Sequence, residues 1–179
     1  KDWQQDLKAA ATAPAADGLE LVLKPGLALF DGRYGDNGWL QETPDPLTKQ
    51  TWGNALLISI SDAARKGLKD GQRVRVDAGG RQIELPVLIQ EGQAPGVLTA
   101  ALGYGRRTGS VARGVGTNLY PLLDATSSSP FLLRGVRLIK TDAITDLALT
   151  QSHHRMEGRD IARSFPVAEA ARSREVREI

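Results

Sequence analysis

The stretch Gly103-Tyr104-Gly105-Arg106-Arg107-Thr108-Gly109-Ser110, with Arg113 beyond it, combines glycine-rich backbone with guanidinium groups. Accessible backbone N–H groups and arginine forks are the donors that suit a pyrophosphate. The stretch is not a G-x-G-x-x-G fingerprint and no helix is predicted to follow it, so the same residues also read as a solvated loop between two strands. Asn118, just past the glycines, carries an amide that donates and accepts at once, and it equally suits a turn residue in a left-handed conformation. His153, His154 and Glu157 put an imidazole and a carboxylate one helical turn apart. The H-E-x-x-H order of a zinc helix is missing and these are the chain's 2 histidines, which favours a surface or interface role over a metal. No G-x-S-x-G, Walker loop or S-x-x-K occurs.

The totals narrow the classes further. A length of 179 residues fits one domain with a core large enough to fold without staples, and 41% hydrophobic with 25% charged residues is a globular composition. Lys and Arg outnumber Asp and Glu by only 23 to 21, so the field of a nucleic-acid binder is absent. Without cysteine, this segment holds no iron–sulfur cluster, thiolate zinc site or catalytic thiol. No apolar run reaches the ~20 residues of a membrane-spanning helix, so no direct membrane span is expected. The start at Lys1, with neither methionine nor signal peptide, reads as a piece of a longer chain.

The elements that must carry these residues are short. Residues 1–17 read as a leading linker or short helix rich in alanine and proline, 18–145 as the folded unit, and 146–179 as a polar exit segment with a short helix starting at Pro166. Leu19 to Phe30 is predicted extended with a break at Pro25-Gly26, and Asp31 to Pro46 a long loop. Leu56 to Ile60 is predicted as a strand, Ser61 as a helix N-cap, Asp62 to Lys66 as the helix and Gly67 as its end. Lys69-Asp70-Gly71 turns into an alternating hairpin, Gln72 to Asp77 and Gln82 to Gln90, with Pro86 expected at an edge or a gap. Val97 to Leu102 and Val136 to Lys140 complete the strands, the last closing a barrel. Many short strands and frequent turn signals favour a closed barrel over a doubly wound sheet.

The order Ser61-Asp62-Ala63-Ala64, Gly67-Leu68-Lys69-Asp70-Gly71-Gln72-Arg73-Val74-Arg75-Val76, hairpin, Pro95-Gly96-Val97 resembles the C-terminal dinucleotide-binding domain of the molybdopterin oxidoreductases, and Asn118-Leu119-Tyr120 resembles a pair of features late in that family. Gln72 stands where the family commonly has an acid. The resemblance spans roughly Leu19 to Thr141. It implies a mainly β fold with short helices, a double-psi β-barrel of the aspartate-decarboxylase-like kind, binding molybdopterin guanine dinucleotide. A narrower likeness, carried by Tyr34 to Glu42, Pro44 to Lys49, Thr51 to Ala55 and Gln151 to Arg159, is to the molybdoenzyme-like half of the alternative complex III iron–sulfur subunit.

That likeness implies a domain of a membrane-associated respiratory oxidoreductase passing electrons from quinol to a periplasmic acceptor. Iron–sulfur clusters would lie only outside this segment, and the molybdenum cofactor would have been lost. The partners implied are the remaining domains of the same polypeptide and other respiratory-complex subunits, on the periplasmic side of the bacterial inner membrane. The family pattern places Arg33, Trp39 and Gln41 near the pterin or its phosphates, Gly105 and Arg106 at the pyrophosphate, and Asn118 at a pterin or guanine edge. No catalytic residue and no metal ligand are expected. Trp39-Leu40-Gln41-Glu42 lacks the histidine and hydroxyl that working members carry after the tryptophan, which suggests that Trp39 and Trp52 anchor the loop and that the pocket is empty. Gly109-Ser110 is also similar to the self-cleaving bond of the pyruvoyl decarboxylases, although its flanks do not match.

Overall fold

The computed structural model describes residues 18–123 and 125–151 together with Pro166. Six strands close into a barrel in the order β1-β5-β2-β4-β3-β6. They are β1 (Leu19–Lys24), β2 (Leu56–Ile58), β3 (Gln72–Ala78), β4 (Arg81–Ile89), β5 (Val97–Ala101) and β6 (Leu132–Ile144), with two short helices, α1 (Gly38–Glu42) and α2 (Ile60–Lys66). Alternation drives the inward faces, as in β1, where Leu19, Leu21 and Leu23 point to the core. Leu56, Ile58, Val74, Val76, Val87 and Leu98 are fully buried in the same cluster.

Two of the pairings are parallel, β1 with β5 and β2 with β4, and each requires a long crossover. The hairpin β3–β4 turns at Gly79-Gly80, as predicted. Pro86 lies opposite Arg73 of β3, while β2 runs alongside β4 only from Val87 onward. The missing donor thus sits just before β4 gains its second neighbour, at the expected gap.

The helix begins two residues earlier than predicted. Ser59, not Ser61, is the N-cap, accepting the Asp62 N–H at 3.1 Å, and β2 stops at Ile58. Asp62 explains why the cap falls there: its buried carboxylate accepts the Ser59 hydroxyl (2.6 Å) and the Gly96 N–H (2.7 Å) and pairs with Arg65. Burial alone would raise its pKa, yet the bonds from Ser59, Gly96 and Arg65 outweigh it and hold the group below the ordinary carboxylate value. One side chain thereby ties α2 to the turn before β5.

The Asp70-Gly71 turn locks the barrel similarly. Asp70 accepts the Ile89 N–H at 2.7 Å, and Gly71 (φ +76°) lies so close to β6 that a Cβ there would meet the Thr145 oxygen at 2.3 Å. Gln72 has a reason to be an amide. Its buried Nε2 donates to the carbonyls of Thr141 and Ala143 (3.2 Å to the latter), where a carboxylate has nothing to donate. This clamp falls in the second half of β6, which runs well past the predicted Val136–Lys140 at both ends. Beyond Asp146 the chain returns along the loop before β2, with Thr51 N–H on the Ala148 oxygen (2.8 Å) and Thr150 N–H on the Lys49 oxygen (3.0 Å). The short helix predicted from Pro166, and His153, His154 and Glu157, lie outside the described residues except for Pro166 itself.

Candidate functional site

Because β1 and β5 are parallel neighbours, the loops that leave their C-terminal ends emerge together at one end of the barrel. The loop after β1 brings Asp31, Gly32 and Arg33; the loop after β5 is the glycine-rich run from Gly103. They touch, with Gly103 packed on Gly32 and the Arg106 guanidinium (Nη1) donating to the Gly32 oxygen at 3.1 Å. Leu119 is buried in the core, and it anchors Asn118 and Tyr120 on either side of it at the surface. The Tyr120 hydroxyl donates to the Asp31 oxygen (2.7 Å) and the Tyr120 N–H to Asn118 Oδ1 (3.1 Å). Burial pushes the Tyr120 hydroxyl pKa up, and Asp31 adds to it.

The result is an open cleft of about 270 Å³ lined by Asp31, Gly32, Gly103, Tyr104, Gly105, Arg106, Arg107, Asn118 and Tyr120. Neither Arg106 nor Arg107 forms a salt bridge among the described residues, although the Arg106 charge acts on the nearby Asp36 carboxylate. Asp31 is the single acid in the lining. Its carboxylate is held down to about pKa 2 by the Arg33 side chain, which grips it at 2.7–3.2 Å while stacking 5.1 Å from the Phe30 ring centre. The volume lies just below the ~300–1,000 Å³ of pockets that enclose a whole small ligand, so the cleft suits one part of a larger one.

The residues singled out from the sequence separate into two groups. Gly105, Arg106 and Asn118 meet in the cleft. Gly105 (φ +77°) is obligatory there because a Cβ would fall 2.1 Å from the Asn118 nitrogen. Arg33, Trp39 and Gln41 do not line it; Arg33 acts on it by neutralising Asp31. Trp39 is 84% exposed, so the expectation that it anchors the loop is corrected; Trp52, 37% exposed, has most of its surface covered and donates its backbone N–H to the Gln41 oxygen at 3.1 Å. The anchor is Gln41, buried in α1 beneath its Asn37 cap, with Nε2 donating to the Gly35 oxygen at 2.8 Å. Residues 31–46, predicted as loop throughout, contain α1, which puts Trp39 and Gln41 two residues apart on a helix, so they face different ways.

Three residues escaped the sequence reading. Asn54, buried, bonds both Ala101 (2.8 Å) and Thr117 (3.0 and 2.8 Å), joining the end of β5 to the return of the glycine loop. Asp36 accepts the N–H groups of Ser110, Val111 and Ala112. Tyr120 closes one side of the cleft, as above. An asparagine after a glycine and an aspartate in a loop signal only turns, so nothing local pointed to these partners. Ser110, exposed, has its hydroxyl 3.4 Å from Asp36. No group of metal-ligating side chains occurs among the described residues.

The family model for the molydopterin dinucleotide binding domain matches residues 28–130, more than half of the chain and all of the cleft. The chain belongs to that family. Among solved structures, this dinucleotide-binding domain is similar to acetylene hydratase from Pelobacter acetylenicus, with a TM-score of 0.50 and 17% identity, which is a likeness of fold. The match covers 78% of the domain and 20% of that enzyme, so the domain spans about a fifth of the protein it resembles. No curated protein matches it.

Proposed function

We propose that this chain holds the dinucleotide end of molybdopterin guanine dinucleotide for a larger molybdopterin oxidoreductase, with the pyrophosphate against Arg106 and Arg107 and a base edge at Asn118. The observation that carries this reading is the cleft at the barrel end, where two guanidinium groups that form no salt bridge among the described residues meet an exposed amide inside the matched region. The donor set fits an anionic, hydrogen-bonding ligand: Arg forks match phosphate oxygens, and Asn118 Nδ2 makes no bond among the described residues. The cofactor supplies redox chemistry at its metal when bound; the residues here bind its far end, orient it and screen the Asp31 charge. Reaction, substrate and the rest of the pterin pocket belong to the four-fifths of such an enzyme that lies beyond this domain. The two parallel strand pairs within a closed six-stranded order support the double-psi form of the barrel.

GDP carries the same pyrophosphate and guanosine and is the probe of choice. Titration calorimetry should show binding to the chain that Arg106→Ala weakens about tenfold or more, since a charge-assisted bond contributes ~1.5–3 kcal/mol. Equal affinity in the variant would refute the assignment.

A second reading is favoured by a specific observation. The N–H groups of Ser110 to Ala112 already hold Asp36, and Asp31 stands in the cleft, so part of the site's capacity for anions is used internally. Under it the barrel is scaffold within the alternative complex III iron–sulfur subunit, in contact with the cluster-bearing half and neighbouring subunits on the periplasmic side. Stoichiometric molybdenum in the full-length protein would overturn this second reading.

A further inference from the structure

Asp36 lies outside the lining of the cleft, yet it holds the loop that carries both arginines. Its Oδ1 accepts the N–H groups of Val111 (2.9 Å) and Ala112 (3.0 Å), and its Oδ2 accepts that of Ser110 (3.2 Å) with the Ser110 hydroxyl at 3.4 Å. Three consecutive backbone N–H groups converging on one anion form the kind of concavity that elsewhere receives phosphate. Here the chain's own carboxylate fills it, from 74–76 positions away. Those N–H groups bring the carboxyl down to about pKa 2, with the Arg106 charge assisting.

The rest of the loop depends on this contact. Gly105 N–H to Val115 O (2.8 Å) and Gly114 N–H to Arg106 O (2.9 Å) zip its two arms together, leaving residues 107–113 as a tip. Of that tip Ala112 is buried, while Arg107 to Val111 and Arg113 are exposed, so apolar packing holds little of it. Arg106 extends from the zipped arm into the cleft.

We propose that Asp36 is a positioning residue for the cleft: by filling the anion cradle at the loop tip it fixes the arms and presents Arg106 and Arg107 to the pyrophosphate. The proposal rests on the pyrophosphate reading above and adds its mechanism of preorganisation. The ligand's phosphates meet guanidinium groups on a loop already set, and the ordering entropy is paid by folding rather than at binding.

Asp36→Ala empties the cradle and leaves its three donors intact, so a small carboxylate added from solution should take the vacated place. GDP affinity by calorimetry should fall ~10-fold. Hydrogen exchange at the Ser110, Val111 and Ala112 amides should accelerate. Formate, but not chloride at equal ionic strength, should reverse both changes, which a merely structural defect would not allow. Asp36→Asn keeps one oxygen for Val111 and Ala112 but turns an amide N–H toward that of Ser110, so its affinity should be intermediate; it also covers the case in which the alanine variant fails to fold. GDP binding retained in full by Asp36→Ala would overturn the positioning role alone. Failure of GDP to bind the wild-type chain would overturn the pyrophosphate reading and the positioning role with it.

Discussion

Gly105 offers the sharpest test of how the cleft is built, because a neighbouring glycine provides its own control. Gly105 and Gly114 lie in the same loop with nearly equal φ, +77° and +75°, but only Gly105 is crowded. A Cβ on Gly105 would stand 2.1 Å from the Asn118 nitrogen and 2.7 Å from its Cα, whereas one on Gly114 meets nothing within 4 Å. Alanine at either site incurs the left-handed strain of ~1–2 kcal/mol. At Gly105 the backbone of Asn118 must also move away, which puts at risk the Gly105 N–H bond to Val115 and the Tyr120 N–H bond to Asn118. Each such bond is worth ~0.5–1.5 kcal/mol net, so Gly105→Ala should cost about 2–5 kcal/mol in all against ~1–2 kcal/mol for Gly114→Ala. Urea unfolding followed by tryptophan fluorescence measures both, and unchanged slopes would show that the two-state comparison is sound. Equal losses in the two variants would refute the close approach of the loops. A large loss at Gly114 would refute the openness of the tip.

Two further outcomes follow from the carboxylates. Asp62→Ala should cost ~2–3 kcal/mol in urea unfolding, because the Gly96 N–H and the Ser59 hydroxyl lose a charged acceptor in a buried place; a cost below that of an ordinary surface substitution would mean α2 is not tied to the β5 turn. For Asp36 the folded pKa is depressed, so its hold on the loop is complete above the ordinary carboxylate range and is lost as the pH falls through about 2. Amide chemical shifts of Ser110, Val111 and Ala112 should therefore titrate near pH 2, and a midpoint near 4 would show that the three N–H groups do not hold the carboxylate.

How much of this was legible beforehand depends on how local each signal is. The helix end at Gly67, the Asp70-Gly71 turn and the alternating hairpin are set by residues within a few positions of one another, and the structure places them as expected. Ser59 and Ser61 both suit a cap, and the choice is made by Gly96, 34 positions from the Asp62 it bonds. The second half of β6 is largely exposed and lacks an apolar rhythm, and its pairing with β3, Val74 opposite Lys140 and Gln72 opposite Ile144, is what makes it strand. Glycine and arginine content singled out the loop at Gly105 and Arg106, and the structure gathers both residues at the cleft. The pairing of that loop with Asp31 and Asp36 follows from the parallel neighbours β1 and β5, and no spacing in the sequence encodes it. Trp39 and Gln41 are both singled out by the family's pattern, and the single turn of helix that Asn37 starts exposes the first and buries the second.

The role proposed for Arg106 and Arg107 is to hold the pyrophosphate of a guanine dinucleotide. Its most direct test is the molybdenum and guanine nucleotide released from the denatured full-length protein, compared with the same protein carrying Arg106→Ala and Arg107→Ala. The wild type should carry a stoichiometric guanine dinucleotide, and the double variant should have lost most of it. A wild-type protein without nucleotide, or a double variant that retains it in full, would overturn that role for the two arginines.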